Sequence, residues 1–228
     1  MPVTLIIDYD AGNLRSVQRA CAEVGLTAEI SADPAQVARA ERIIFPGVGA
    51  AGSGMASVRK NGLDKALLDA YAAGVPILGI CLGVQISLDH SEEQDTTTLG
   101  LLPGKVRRFK FDDPSLKVPH MGWNEVRLVQ PHPLLEGFEV GSEFYFVHGY
   151  YPDPLLSSDV YAVSDYEIEF PCAVGRGNYF GTQFHTEKSG RVGLNLLANF
   201  ASWNGEVCLL YTSPSPRDLS TSRMPSSA

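Results

Sequence analysis

Charge is sparse in this sequence, at 19% of residues. Of 228 residues, 18 are Lys or Arg and 26 Asp or Glu, for a formal net charge of -8. No lysine- or arginine-rich run interrupts that acidic background, which argues against nucleic acid as a partner. Long apolar runs are missing too, so nothing approaches the ~20 residues of a membrane span. Leu5-Ile6-Ile7 is only strand-length and stops at Asp8, unlike a signal peptide. Cysteine is scarce: Cys21, Cys81, Cys172 and Cys208 are scattered, with no CxxC pair. This spacing supports neither a zinc ribbon nor a disulfide framework, and no metal or cofactor is expected. An unpaired thiol suits a reducing cytoplasm.

What the chain does carry is apolar residues, 44% of the total, enough for one well-filled α/β domain and not clearly two. Residues 3–7 read as a buried strand and 8–13 as a turn. A helix is predicted over about 14–24, with Leu14, Val17, Ala20, Cys21 and Val24 on one face and Gly25 closing it. A strand at 26–30, a short helix from Asp33-Pro34 to Ala40, a strand at 42–45 and a helix at about 63–73 continue the alternation. This order points to a parallel sheet. Residues 90–98 read as a polar surface loop, and strands at 105–110, 119–128, 143–151 and 160–166 as an antiparallel excursion. The fold expected is α/β: a doubly wound, mostly parallel sheet with an antiparallel extension, closed by a helix at about 192–203. The domain is expected to occupy residues 1–205, and the serine- and proline-rich stretch 206–228 to be a disordered addition outside the fold.

The site signal starts at Pro76-Ile-Leu-Gly-Ile-Cys-Leu-Gly-Val-Gln85. Its apolar start suits a strand covered on both faces. Gly79-Ile80-Cys81-Leu82-Gly83 then has the nucleophile-elbow form G-x-S-x-G, with sulfur for oxygen. The glycines allow a tight strand-to-helix turn and close approach of a substrate. A free cysteine has a pKa of about 8.5; a helix amino terminus and a nearby imidazolium both favour the thiolate. The plain alternative is that Cys81 is a small buried hydrophobe. Gln85, one helical turn on, faces either the same pocket or solvent.

Two other stretches can supply partners. Gly47-Val48-Gly49-Ala50-Ala51-Gly52 matches G-x-G-x-x-G, but Pro46 precedes it, and Asp64 and Asp69 fall inside an amphipathic helix pattern. A dinucleotide site is therefore not expected. The N–H groups of such a turn can instead receive an oxyanion, or the turn is purely structural. Pro171 to Asn178 reads as a hairpin-like turn, and Tyr179 to Glu187 as a strand ending in His185-Thr186-Glu187. Residues i and i+2 of a strand share a face, so Glu187 can orient His185 and stabilise its charged form. His-x-Glu also opens the zinc-deaminase signature, but no Pro-Cys-x-x-Cys follows. His120 and His148, in aromatic-rich stretches, read as structural. Cys81, His185 and Glu187 thus form a nucleophile, base and orienter set.

Gly79-Ile-Cys81-Leu-Gly83-Val-Gln85, Pro46-Gly-Val-Gly49 and Phe184-His185-Thr-Glu187 together resemble the class I (triad) glutamine amidotransferases. More narrowly, Asp8-Tyr-Asp-Ala-Gly-Asn13-Leu-Arg-Ser, Pro119-His-Met-Gly-Trp-Asn124 and His185-Thr-Glu-Lys188-Ser are similar to the glutaminase subunits of imidazole glycerol phosphate synthases, over about residues 3–203. Thr186 stands where many relatives carry proline, with little effect expected. The resemblance implies that Cys81 attacks the side-chain amide of L-glutamine, with His185 and Glu187 completing the triad. It implies oxyanion N–H groups from Leu82 and from Val48 and Gly49, with Gly47 and Gln85 at the bound glutamine. Ammonia would pass to a cyclase partner, a (β/α)8 barrel, in a heterodimer with Asn13, Trp123 and Lys188 at or near the interface. The cyclase would make imidazole glycerol phosphate and an aminoimidazole carboxamide ribotide, a step of histidine biosynthesis. Such glutaminases are usually almost inactive until the partner binds its nucleotide, and a flip of the Val48–Gly49 peptide would be one switch. Rival readings are a glutaminase serving anthranilate or pyridoxal phosphate synthesis, a stand-alone cysteine hydrolase on the same sheet, and a silent binding subunit.

Overall fold

The computed structural model describes residues 4–111 and 117–207. Strand and helix first alternate: β1 (Thr4–Ile7), α1 (Leu14–Glu23), β2 (Ala28–Ser31), α2 (Pro34–Val37), β3 (Arg42–Gly47), α3 (Ala51–Lys60), α4 (Leu63–Ala72), β4 (Ile77–Cys81) and the single turn α5 (Leu82–Gln85). Shorter strands follow: β5 (His90–Ser91), β6 (Thr96–Thr97), β7 (Gly104–Arg108), β8 (His120–Glu125) and β9 (Arg127–Leu128). The described residues close with β10 (Glu143–His148), β11 (Tyr150–Pro154), β12 (Val160–Tyr166), β13 (Ile168–Arg176), β14 (Tyr179–Thr182) and α6 (Gly190–Ser202).

Eight strands make one sheet in the order β2-β1-β3-β4-β14-β13-β12-β9. The first five are parallel, and β13, β12 and β9 extend the sheet antiparallel. Parallel strands need cover on both faces, and side-chain alternation provides it. Leu5, Ile7, Ile43, Phe45 and Ile77 pack with Met55, Val58, Leu63 and Leu67 of α3 and α4. Ile6, Ile44, Leu78 and Ile80 pack with Val17 of α1 and Leu196, Leu197 and Phe200 of α6. Beside this sheet, β8 pairs antiparallel with β10, placing His120 opposite His148, and β11, β7, β5 and β6 form a further small sheet. Among the described residues no helix is long and apolar enough to cross a membrane.

Four local expectations change. Residues 90–98 are not a loop: β5, a 3₁₀ turn at Glu93–Asp95 and β6 occupy them. Glu93 Oε2 accepts from Ala51 N at 2.7 Å, capping α3, a helix that the residue pattern hid. Gly52, Ser53, Gly54 and Ser57 are weak helix formers, so packing and the cap carry α3. A Cβ on Gly52 would lie 2.3 Å from Gln94 Oε1, the end of an exposed side chain that can swing aside. Pro171 to Arg176 belongs to β13, leaving the turn to Gly177 and Asn178. The strand expected at 143–151 breaks at Gly149, and its halves, β10 and β11, join different sheets. At the other end, Trp203 Nε1 donates to the Glu206 carbonyl at 2.8 Å; the expected tail lies, from residue 208 on, outside the described residues.

Candidate active site

β4 ends in a forced bend. Cys81 has φ 54° and ψ -108°, a conformation that costs a non-glycine residue ~1–3 kcal/mol and persists only where its surroundings impose it. Here two missing side chains impose it. A Cβ on Gly83 would sit 1.7 Å from the Phe45 carbonyl oxygen, and one on Gly79 would sit 2.5 Å from Tyr179 Oη. The turn after the thiol therefore lies directly against the β3 backbone. β3 and β4 pair with Gly47 opposite Cys81, so Val48 and Gly49 follow at the same edge of the sheet as the sulfur. Gly47 is itself a packing glycine, since a Cβ there would meet Tyr9 Oη at 1.8 Å. Gly49 has φ +105° with open space around it; it is needed for its backbone, not for room. The backbone N–H of Leu82 opens α5, the helix expected after the thiol, which is a single turn. So few aligned peptides give little macrodipole, and electrostatic support for an anionic sulfur falls mainly to histidine.

That histidine arrives on the neighbouring strand. β14 runs parallel to β4 with Thr182 opposite Ile80, so the chain leaves the sheet beside Cys81. His185 N donates to the Tyr145 carbonyl at 2.9 Å. Ser189 Oγ donates to the His185 carbonyl at 2.6 Å and accepts from Tyr145 N at 3.0 Å. Thr186–Lys188 is a 3₁₀ turn, not a strand end, and this turn rather than alternation swings Glu187 back to the ring. Glu187 Oε1 and His185 Nδ1 lie 2.8 Å apart, with both side chains 3% exposed. Burial works against a charged ring, but the Cys81 sulfur and the Glu187 carboxylate outweigh it and raise the His185 pKa to about 10. His185 Nε2 is buried with no partner of full hydrogen-bond geometry, yet the Cys81 sulfur contributes most to holding the ring charged. Triads without substrate are commonly this loose.

Gln85 is buried. Its Nε2 donates to the Tyr150 carbonyl and to Gln183 Oε1, both at 3.0 Å. Gln183 Nε2 in turn donates to Cys81 Sγ at 3.7 Å. Reasoning from sequence passed over Gln183; the signal was a long amide two positions before His185 in a run that is mostly apolar. It also passed over Tyr9, whose buried hydroxyl has no partner and whose pKa is raised well above its usual value by burial and by the Cys81 charge. His120 and His148 are both buried, with Nδ1 of the first 3.1 Å from Nε2 of the second. Burial lowers their pKa values to about 4 and about 3.

The three residues expected at an interface lie on the surface. Trp123 of β8 is 54% exposed, beside Met121 at 63%. The Trp123 ring stands edge-on to Tyr145 at 6.1 Å, and Lys188 Nζ lies 5.8 Å from the centre of the Tyr145 ring. Asn13 is exposed at the start of α1. It follows Gly12, which packs on Gly47 and leaves 3.4 Å between a Cβ built there and Gly47 Cα.

The glutamine amidotransferase class-I family pattern matches residues 5–202. The chain belongs to the class-I glutamine amidotransferases. Within that class, it is 48% identical over 211 residues to the imidazole glycerol phosphate synthase subunit HisH of Neisseria meningitidis serogroup A, covering 88% of this chain and 99% of that one. The HisH subunit of Nitratidesulfovibrio vulgaris is 49% identical over 207 residues, covering 89% and 97%. Among solved structures, PurLQS from Thermotoga maritima superposes with a TM-score of 0.69 at 20% identity, over 87% of this chain and 97% of that one. The last likeness is one of fold.

Proposed function

We propose that this chain is the glutaminase subunit of an imidazole glycerol phosphate synthase, hydrolysing L-glutamine and delivering the ammonia to a cyclase partner. One observation carries the chemistry: a thiol on a forced bend beside an imidazole that a buried carboxylate keeps charged. With its pKa near 10, His185 enters the cycle as imidazolium. The Cys81 sulfur forms a bond to the amide carbon, and the carbonyl electron pair moves to oxygen. The N–H groups of Leu82 and of the Val48–Gly49 turn receive that oxyanion; loss of one such donor typically lowers the rate 10²–10³-fold. The intermediate collapses by breaking the carbon–nitrogen bond as His185 gives its proton to the departing nitrogen. Neutral His185 then takes a proton from water, which opens the thioester to glutamate and restores the thiolate. Gly47 and Gln85 border the bound glutamine. No hydrogen bond among the described residues occupies Gln85 Oε1, so it is free to accept from a ligand.

The partner is a cyclase with a (β/α)8 barrel, docked on the surface that carries Trp123, Lys188 and Asn13, and the functional domain is residues 1–205. Ammonia release from glutamine, measured with and without the cyclase and its nucleotide, tests this reading. Strong stimulation by the loaded partner, abolished by Cys81→Ala, is the expected result. Full turnover without any partner would favour a stand-alone hydrolase. No ammonia under any condition would end the glutaminase reading.

A further inference from the structure

Gln183 is 0% exposed, and the triad makes no use of it. Its backbone is fixed separately, with Gln183 N donating to the Cys172 carbonyl at 2.8 Å. The side-chain bonds are therefore additional, and they belong to a longer row. A backbone carbonyl only accepts, so His148 Nδ1 must carry the hydrogen that faces the Tyr150 oxygen at 2.7 Å. His148 Nε2 is then an acceptor for His120 Nδ1 at 3.1 Å, and His120 Nε2 for Asn124 Nδ2 at 3.3 Å. From the other side, the two hydrogens of Gln85 Nε2 go to the Tyr150 carbonyl and to Gln183 Oε1. With its oxygen engaged, Gln183 can only turn its NH₂ toward the sulfur. Donors and acceptors match along the whole row when both imidazoles are neutral, the state that their burial enforces.

A buried amide is destabilising unless bonded, and a thiol is a weak acceptor. A thiolate is a stronger one, because charge-assisted bonds are roughly twice as strong as neutral ones. We propose that Gln183 is the donor that holds the Cys81 sulfur for attack, its amide oriented by Gln85 and, through the Tyr150 carbonyl, by the His148–His120 pair. This deepens the proposed function but needs from it only that Cys81 is the nucleophile. The titratable groups that face the sulfur are His185 and Tyr9, with Glu187 acting on His185 and His185 in turn on His148; the test leaves all four unchanged.

The test uses Gln183→Met, close in length but with no N–H, and Gln183→Glu, which keeps the acceptor for Gln85 and sets an anion against the sulfur. Two quantities are read on folded full-length chain. One is the pH midpoint of Cys81 alkylation by iodoacetamide, with the label assigned by peptide mass spectrometry. The other is kcat and KM for glutamine in the complex with the nucleotide-loaded cyclase. Gln183→Met should lower kcat about tenfold to a hundredfold, with KM within about threefold, and raise the alkylation midpoint. Gln183→Glu should raise the midpoint further, by about one pH unit or more. Should one variant fail to fold, the other decides. Wild-type midpoints and wild-type kcat in a folded variant, with only its melting temperature lowered, would reduce Gln183 to a space-filling residue and overturn the proposal. The alkylation arm needs neither glutamine nor partner, so a moved midpoint without ammonia release would reject the glutaminase reading and leave the Gln183 assignment standing.

Discussion

Glu187 is a carboxylate with 3% of its side chain exposed, tolerable because an imidazolium sits against one oxygen. Replacing it with glutamine would keep an oxygen for Nδ1 but remove the charge that holds the proton on the ring. Glu187→Gln should therefore lower kcat by about 10²–10⁴-fold with little change in fold, as steady-state glutaminase kinetics in the complex will show. Gly49 makes a different demand. No atom lies within 4 Å of a Cβ built there, yet its φ is +105°, so Gly49→Ala tests conformation alone. Partner-stimulated turnover should fall while stability drops by only ~1–3 kcal/mol; unchanged turnover would show that this peptide has no part in the oxyanion site or its switching. The proposed triad stands out in the sequence because its signals are local: two glycines around a cysteine, and an acid two positions from a histidine, a pair that the structure brings into contact. The link between Gln183 and Cys81 does not, because it spans 102 positions and only the pairing of β14 with β4 brings the two together.

At the level of elements, α3 shows what a residue pattern can hide. Its glycines and serines argue for a loop, and the helix exists because Met55 and Val58 are buried against the sheet and Glu93 satisfies the Ala51 N–H. Glu93→Ala should cost about 1 kcal/mol, seen as a melting temperature lowered by roughly 2–4 °C. A melting curve identical to that of the native sequence would mean the cap is dispensable. The 90–98 segment looked like a loop for the complementary reason: its polar side chains are turned toward α3 and one another, not only toward water. The elements that were legible, β1 to β4 with α1, α2 and α4, have apolar runs or faces bounded by glycine or by Asp-Pro, so local sequence and tertiary packing agree. Even there the strand assumed for 185–187 is a 3₁₀ turn; the contact was foreseen and its backbone was not.

Across the whole molecule, four histidines set opposite pH limits. His120, His132 and His148 are buried neutral, their pKa values lowered by burial from 6.5 to about 4, 3 and 3. Unfolded, each takes a proton near 6.5, so the stability that depends on their neutrality is whole above that pH and is lost as pH falls toward 4 and 3. His185 runs the other way: its contribution is whole below 6.5 and is lost as pH rises through about 10. Stability should therefore be greatest near neutrality, with urea midpoints lower at pH 5 and at pH 9.5. His132 Nδ1 accepts from Leu134 N at 3.1 Å, a role that asparagine can fill. His132→Asn should flatten the acid limb by up to ~1.4 kcal/mol per pH unit, the weight of one proton. An acid limb of unaltered slope would remove His132 from the account.

The bend at Cys81 also limits how this protein can change. At positions 79 and 181 the place of a side chain is taken by the Tyr179 hydroxyl, at 47 by that of Tyr9, and at 83 by the Phe45 carbonyl. A mutagenesis library spread over those four positions should return almost nothing but glycine. Variation that redirects the thiol to a different amide must come from residues that surround the bend without building it, and a designer has that ground alone to work on.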